Sequence, residues 1–390
     1  MMSEKINIAI IGGGIIGCCV AFELARDRED IYVFEKNPGI TKGENQSSRN
    51  SGVLHAGIYY EQDIRPLKGR LCIEGNRLWS EFARKYQLPC KQTGKLMVAN
   101  DEAESHILEK YHLQAEANGV PGVRKISADE VRKLEPNVCA HSALLIPTAG
   151  IVDPTALLRQ VYASASNRGA VLMSETEVVD LELSDKGVIV HICYRDGHQD
   201  RIRANTVINA AGVHAVDIAR LVDPHIPIKA ALIRGDSYKF YRNRRPQLFL
   251  QEMNVYPTPI VVNSPTGRHL TVGVHLTPTF DMINGEISIG DTVTVGPKLI
   301  PVAHFEDYNS TPVSPPEAFL ENMAFFPDLS AADLEYHQGG IQARIDGYHD
   351  FYIKADRNTN RVIHLLGIDS PGLTAAPAIA RYVGGLLNKN

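Results

Sequence analysis

Three glycines and one acid near the start of the chain have the spacing of a phosphate cradle. Gly12-x-Gly14-x-x-Gly17 follows directly on the β-branched run Ile6, Ile8, Ile10 and Ile11, and Glu35 closes a second run, Ile31-Tyr32-Val33-Phe34. Each position has its own chemical task. Gly12 permits a tight turn, Gly14 lets a pyrophosphate approach the backbone, and Gly17 lets a helix touch a strand. A helix opening at that turn offers free N–H groups and a positive dipole end to phosphates. Glu35 is placed to accept hydrogen bonds from ribose hydroxyls and to repel a 2′-phosphate, which disfavours NADP. The pattern alone serves FAD and NAD equally.

Stepping out from the glycines, the elements that must hold them are legible. The isoleucine run has the composition of a buried parallel strand, and Ile16, Val20 and Leu24 repeat at the spacing of a helix stripe. Further on, Asp153-Pro154 opens a helix with an acid cap and proline at its first position, and Leu157, Leu158, Val161 and Ala165 form its buried side. Val362 to Ile368 reads as a strand leading through Asp369-Ser370-Pro371-Gly372 into a last helix. Its apolar side is Ile379, Val383, Leu386 and Leu387, with Pro377 confined to the opening turn. Alternating runs at Val255 to Asn263, Arg268 to Thr277 and Glu286 to Val295, punctuated by Ser264-Pro265-Thr266-Gly267 and Asn284-Gly285, predict an antiparallel sheet. Pro312, Pro315 and Pro316 mark a loop beyond it.

Composition narrows the function. The chain has 390 residues, 44% hydrophobic and 22% charged, enough apolar side chain for a large core. With 40 basic and 45 acidic side chains the formal charge is −5, which offers no basic face for nucleic acid. The six cysteines contain no CxxC pair, so neither a zinc ribbon nor a dithiol redox motif is expected, and no metal site is predicted. Such sparse cysteines fit a reducing cytoplasmic setting. The uncharged stretch Ile6 to Phe22 carries Gly12, Gly13 and Gly14 where a signal helix would be strongest, so it reads as structural rather than as a leader or a membrane span.

The segment after Glu35 separates the two dinucleotides. Ser47-Ser48-Arg49-Asn50-Ser51-Gly52-Val53-Leu54-His55-Ala56-Gly57-Ile58-Tyr59-Tyr60 resembles the flavin-contacting segment of the D-amino-acid-oxidase-like flavoproteins. More narrowly it resembles the L-2-hydroxyglutarate dehydrogenase family. Leu67-Lys68-Gly69-Arg70-Leu71-Cys72, Gly94-Lys95-Leu96, Gly150-Ile151-Val152-Asp153, Tyr256-Pro257-Thr258-Pro259, Gly273-Val274-His275-Leu276-Thr277-Pro278 and Gly367 to Thr374 continue the likeness in order.

The resemblance implies an α/β plus α+β architecture. A Rossmann-type FAD-binding domain would be assembled from residues 1–90, 150–228 and 338–390. A substrate-binding domain on an antiparallel sheet would come from 91–149 and 229–337. FAD would be held non-covalently. Beyond Gly12, Gly14, Gly17 and Glu35, its contacts would come from Ile15, Ile16, Lys36, Ser47, Ser48, Arg49, Asn50, Ser51, Gly52, Val178, Ala211, Gly212, Gly340, Gly372, Leu373 and Thr374. In this fold the strand exit Thr206 to Gly212 passes the adenosine half, where small residues allow close approach, and the last helix points its positive end at the flavin pyrimidine edge.

The resemblance also implies the reaction, oxidation of a small L-2-hydroxy acid to the 2-oxo acid, with L-2-hydroxyglutarate the first expectation. His55 is the first candidate for general base, because an imidazole titrates near neutrality, and His275 is the second. Lys68, Arg234, Tyr238, Tyr256 and Arg344 are candidate partners for the substrate carboxylate. Family members have arginine and glutamine two residues apart after Gly-Val or Gly-Ile, whereas Gly340-Ile341-Gln342-Ala343-Arg344 has the two exchanged. On a strand both face the same side, so the positive charge would move about 6–7 Å and alter the preferred substrate length. Amine or amino-acid oxidation, glycerol-3-phosphate oxidation and a flavin-binding protein without turnover stay open. So does the electron acceptor among oxygen, quinone and an electron-transfer protein, the second implying peripheral contact with a membrane.

Overall fold

The computed structural model describes residues 5–43, 45–264, 267–308 and 313–388, with only the backbone described for the strand residues 260–271. Pro265, Thr266 and Pro312, named above as turn and loop signals, lie outside the described residues.

Two eight-stranded sheets carry the molecule. The first is built on the isoleucine run. Lys5–Ile11 pairs in parallel with Gln199–Asn209 on one side and Ile31–Phe34 on the other. Val171–Met173 and Val362–Leu366 extend the parallel set at either end. An antiparallel meander, Thr176–Ser184 and Gly187–Tyr194, joins the first half of Gln199–Asn209. Ile8 and Ile10 are fully buried beneath the helices Ile15–Leu24, Pro154–Ser166 and Gly372–Leu387. Burying one such side chain stabilises by roughly 1.5–3 kcal/mol, which is why a strand with isoleucine at positions 6, 8, 10 and 11 settles at the sheet centre.

The helix predicted from Asp153-Pro154 forms as Pro154–Ser166, with the Asp153 carboxylate accepting from the Thr155 and Ala156 N–H groups. The last helix differs from expectation at its start. It begins at Gly372, so Pro377 stands in its second turn rather than its first. Proline has no N–H for the carbonyl four residues back. That carbonyl, of Leu373, accepts instead from the Trp79 indole N–H at 2.8 Å. A buried tryptophan thus substitutes for the missing helix bond.

The second sheet runs in the order Glu335–Ile345, Ala230–Tyr241, Glu286–Pro301, His275–Ile283, Asn254–Pro257, Lys95–Ala99, Ser142–Ile146, Arg124–Ser127. Its pairings are antiparallel except between Asn254–Pro257 and Lys95–Ala99, where strands from two distant stretches of chain meet edge to edge. The Asn284-Gly285 turn forms as expected, both residues at positive φ. Two runs read as continuous are broken. Val255 to Asn263 divides into Asn254–Pro257 and Ile260–Ser264, and Arg268 to Thr277 divides into Gly267–Thr271 and the start of His275–Ile283. Ile260–Ser264 and Gly267–Thr271 form a separate two-stranded ribbon. Glu335–Ile345 crosses residue 338, where a boundary was expected, and pairs in the second sheet as one strand.

Candidate active site

A cleft of about 1820 Å³ runs from the glycine turn, between the two sheets, to His55 and His275. At its first end the wall is backbone. Gly12 has φ +104°, and a Cβ there would stand 2.5 Å from the Ala210 carbonyl oxygen. A Cβ at Gly17 would stand 1.9 Å from the Gly12 carbonyl oxygen, so helix and strand touch as the motif requires. The helix Ile15–Leu24 carries no acid in its first turn to repel an anion. Glu35 ties the turn down, its carboxylate accepting from the Gly13 and Asn37 N–H groups at 2.8 Å each. Ser47 Oγ accepts from the Ile15 N–H at 2.8 Å.

Most of the expected cofactor contacts line this cleft: Gly12, Gly14, Ile15, Ile16, Glu35, Lys36, Ser47, Arg49, Asn50, Ser51, Val178, Ala211, Gly212, Gly340, Gly372 and Leu373. Gly17, Ser48, Gly52 and Thr374 stand behind the wall. Gly52 has φ +65°, and a Cβ would stand 2.5 Å from the Val152 carbonyl oxygen. Lys36 Nζ lies 2.9 Å from His214 Nε2. Gly340 lets its strand approach the Arg49 carbonyl oxygen, which a Cβ would meet at 2.4 Å.

At the other end the wall is side chains. The backbone of His55 is clamped from two helices. Its N–H donates to Thr374 Oγ1 at 3.0 Å, and its carbonyl accepts from Asn76 Nδ2 at 2.8 Å. Its half-buried ring reaches Ser370 Oγ through Nε2 at 3.4 Å. Burial, the Lys95 ammonium and the neighbouring His275 hold the His55 pKa well below the ordinary histidine value. His275 opens the strand His275–Ile283. It is stacked on Tyr256 with ring centroids 3.8 Å apart. Burial and then Lys95 push its pKa down to about 3. Both imidazoles are therefore neutral at pH 7, and a neutral imidazole nitrogen can take a proton.

Among the five expected carboxylate partners the structure makes a division. Lys68, Tyr256 and Arg344 line the cleft. Lys68 Nζ bonds Asp369 at 2.6 Å, and Arg344 Nε lies 3.2 Å from the other oxygen of the same carboxylate. Two cations on one acid leave one positive charge over. Gln342 also lines the cleft, its Oε1 buried without a partner among the described residues. Arg234 and Tyr238 do not line the cleft. Arg234 is buried against Asp236 at 2.9 Å and donates to the Asp307 carbonyl. Tyr238 donates to the Ser314 carbonyl inside an aromatic cluster with Phe319 and Tyr336. Both belong to the interior of the second sheet, where bulk and an internal ion pair fill space. Sequence pattern does not show which neighbour an arginine meets.

Four participants escaped the sequence reading. Asp369 and Ser370 stood in a family-like stretch without a role. Asn76 sat unmarked inside a helix. Lys95 lay within Gly94-Lys95-Leu96, where a charged residue at a strand start reads as exposed, yet only 1% of it is accessible.

The chain matches the family model described as FAD dependent oxidoreductase over residues 7–386. It belongs to that family. It is 30% identical over 98% of its length to a glycerol 3-phosphate dehydrogenase of Caloramator mitchellensis, of which 73% is covered. It is 27% identical over 98% of its length to the human mitochondrial L-2-hydroxyglutarate dehydrogenase, of which 88% is covered. Among solved structures, the FAD-bound L-alpha-glycerophosphate oxidase of Mycoplasma pneumoniae superposes with a TM-score of 0.84 at 25% identity, over 99% of this chain and 95% of that one. The protein is an FAD-dependent oxidoreductase with a Rossmann-like parallel sheet.

The residues present fit that cofactor. The glycine turn is a cradle that a Cβ at Gly12 would fill, the helix behind it is free of first-turn acid, and a second helix N-terminus, at Gly372, opens on the same cleft. No helix among the described residues is long and apolar enough to cross a membrane.

Proposed function

We propose that the protein oxidises a small L-2-hydroxy acid to its 2-oxo acid, with L-2-hydroxyglutarate the first substrate. The observation that carries this reading is the pair of neutral imidazoles, His55 and His275, on the same cleft as the Lys68–Asp369–Arg344 cluster with its one surplus positive charge. Alcohol oxidation needs a base for the hydroxyl proton, and an acid substrate needs a cation. Bound FAD supplies the two-electron acceptor for the hydrogen on carbon. His55 takes the hydroxyl proton, and Ser370 orients its ring through Nε2. Lys68 and Arg344, held by Asp369, and the Gln342 amide meet the carboxylates. Tyr256 supports His275. Gly12, Gly14, Ile15 and Ile16 receive the diphosphate, Glu35 the ribose, and the Arg49–Ser51 segment, Gly340 and the helix opening at Gly372 the flavin end. The first sheet and its helices form the cofactor half, drawn mainly from 1–90, 150–228 and 346–390. The second sheet, including the whole of Glu335–Ile345, forms the substrate half.

The six cysteines are unpaired, which supports a reducing, cytoplasmic setting. A second reading, sn-glycerol 3-phosphate, draws support from the 30% identical relative and the 0.84 superposition; that substrate also joins a hydroxyl to an anion. Anaerobic mixing of the yellow holoprotein with L- and D-2-hydroxyglutarate, L-lactate, glycerol 3-phosphate and glycine separates the readings. We expect loss of flavin colour with L-2-hydroxyglutarate at micromolar to millimolar concentration. Bleaching by glycerol 3-phosphate alone selects the second reading, and bleaching by glycine alone overturns both.

A further inference from the structure

One buried charge is unused by this scheme. Lys95 starts the strand Lys95–Ala99, and its ammonium lies 3.8 Å from the centre of the Tyr256 ring and 5.3 Å from that of Tyr59. No carboxylate pairs with it among the described residues. An unpaired buried cation costs more than almost any other side-chain arrangement, and such costs are retained where they serve function.

Sheet geometry explains how it reaches the site. The strands bearing His275, Tyr256 and Lys95 are consecutive in the second sheet. Tyr256 stands opposite Met97 in the parallel pairing, and Val255 opposite Leu276 in the antiparallel one. Residues two apart on a strand share a face, so Lys95, Tyr256 and His275 project to the same side of the sheet. The His275 ring already covers one face of Tyr256 at 3.8 Å and 15°. An ammonium at the same distance must therefore occupy the opposite face. The result is a three-layer stack of cation, phenol ring and imidazole, bonded by cation–π attraction and ring stacking.

We propose that Lys95 is a positioning residue of the reducing site. Its charge adds to burial in keeping His275 and His55 in their proton-accepting form, and it supplies the positive field that draws an anionic substrate toward them. The second clause rests on the proposed substrate class; the first does not. The titratable groups around the ammonium are Tyr59 on the loop after His55, Tyr256 on the adjacent strand, His275 behind that ring on the next strand, His55, and the Cys72 thiol on the helix Pro66–Tyr86. No acid among them neutralises it. Burial brings the amine down to about 7, so its charge is present below neutrality and lost above it, while the histidines stay neutral across that range. The field therefore switches on substrate affinity without protonating the base.

The test uses holoprotein and glutarate, a dicarboxylate with no hydroxyl to oxidise, with binding read by calorimetry or by the shift of the flavin spectrum. Wild-type affinity should fall roughly tenfold between pH 6 and pH 8 as the ammonium deprotonates. Lys95→Met should bind weakly at both pH values, and Lys95→Arg, charged throughout, should bind tightly at both. A Lys95→Met variant that keeps the wild-type pH dependence overturns the field. The base-holding clause is read by NMR of ring-labelled histidine on wild type and Lys95→Met, with His55→Ala and His275→Phe for assignment. We expect neither wild-type ring to titrate at the ordinary histidine value, and the titrations in Lys95→Met to be displaced upward. Titration of both wild-type rings near 6.5, or unchanged titration in Lys95→Met, overturns it whether or not glutarate binds. Absence of any glutarate binding, with histidines silent as expected, instead refutes the substrate class and leaves the Lys95 stack standing.

Discussion

At the glycine turn the cleft is walled by backbone whose polar groups are tied to one another, while around His55 and His275 several buried side-chain atoms have no hydrogen-bond partner among the described residues. Glu35, Gly13, Asn37, Ser47 and Ile15 account for each other's hydrogen bonds. By contrast His55 Nδ1, His275 Nε2, Tyr59 OH and Gln342 Oε1 are all buried and unmatched among the described residues. A cofactor that stays bound can be met by a rigid, satisfied cradle. A substrate that must arrive, react and leave is met by groups whose bonding capacity is held open, at a cost in stability. The difference also explains the uneven charge: the cradle works with a helix terminus and one carboxylate, the other end with two cations on one acid and a third with none.

That contrast can be broken at either end. The largest effect is expected at the cradle. Gly14→Val forces a side chain toward Ser47 Oγ, which a Cβ already meets at 3.0 Å, and fills the approach to the helix terminus. The purified variant should be folded by circular dichroism and colourless at 450 nm. A yellow Gly14→Val protein would show that the turn does not carry the diphosphate.

Next in size is the buried ion pair that the substrate sheet keeps for itself. Arg234→Met strands Asp236 in the interior, which costs roughly 3–5 kcal/mol when a buried partner is removed. The denaturant midpoint should fall accordingly, while kcat/KM of the surviving folded enzyme stays within about twofold of wild type. A large rise in KM with unchanged stability would return Arg234 to the site. The smallest effect belongs to the cleft cation. Arg344→Met removes a charge-assisted contact of the size that hydrogen bonds to ions carry, so KM for a dicarboxylate should rise about tenfold and KM for L-lactate much less. Equal rises for both substrates would mean that Arg344 does not meet the far carboxylate.

The same contrast decides how much the sequence could say. Gly12, Gly14, Gly17 and Glu35 shape their turn through local chain geometry, so spacing and flanking hydrophobic period were enough to place that turn. The parallel strand Lys5–Ile11 and the capped helix at Asp153 were legible for the same reason, because their determinants lie within a few residues. Arg234 and Arg344 look alike in sequence, and only pairing across strands gives one to Asp236 and the other to Asp369. Lys95 is the extreme case: its neighbours Tyr256 and His275 lie some 160 to 180 residues away along the chain, so nothing local announces a buried amine. Pro377 shows the limit within a helix, since the tryptophan that excuses it comes from elsewhere in the fold.

The central claim is that a neutral His55 takes the hydroxyl proton of a 2-hydroxy acid. Its most direct test is single-turnover reduction, mixing L-2-hydroxyglutarate anaerobically with wild type and with His55→Ala, both loaded with FAD. The variant should retain its yellow colour before mixing and lose it at least about 10²-fold more slowly, with glutarate affinity little changed. Reduction of His55→Ala at the wild-type rate would contradict the account and move the proton to another group.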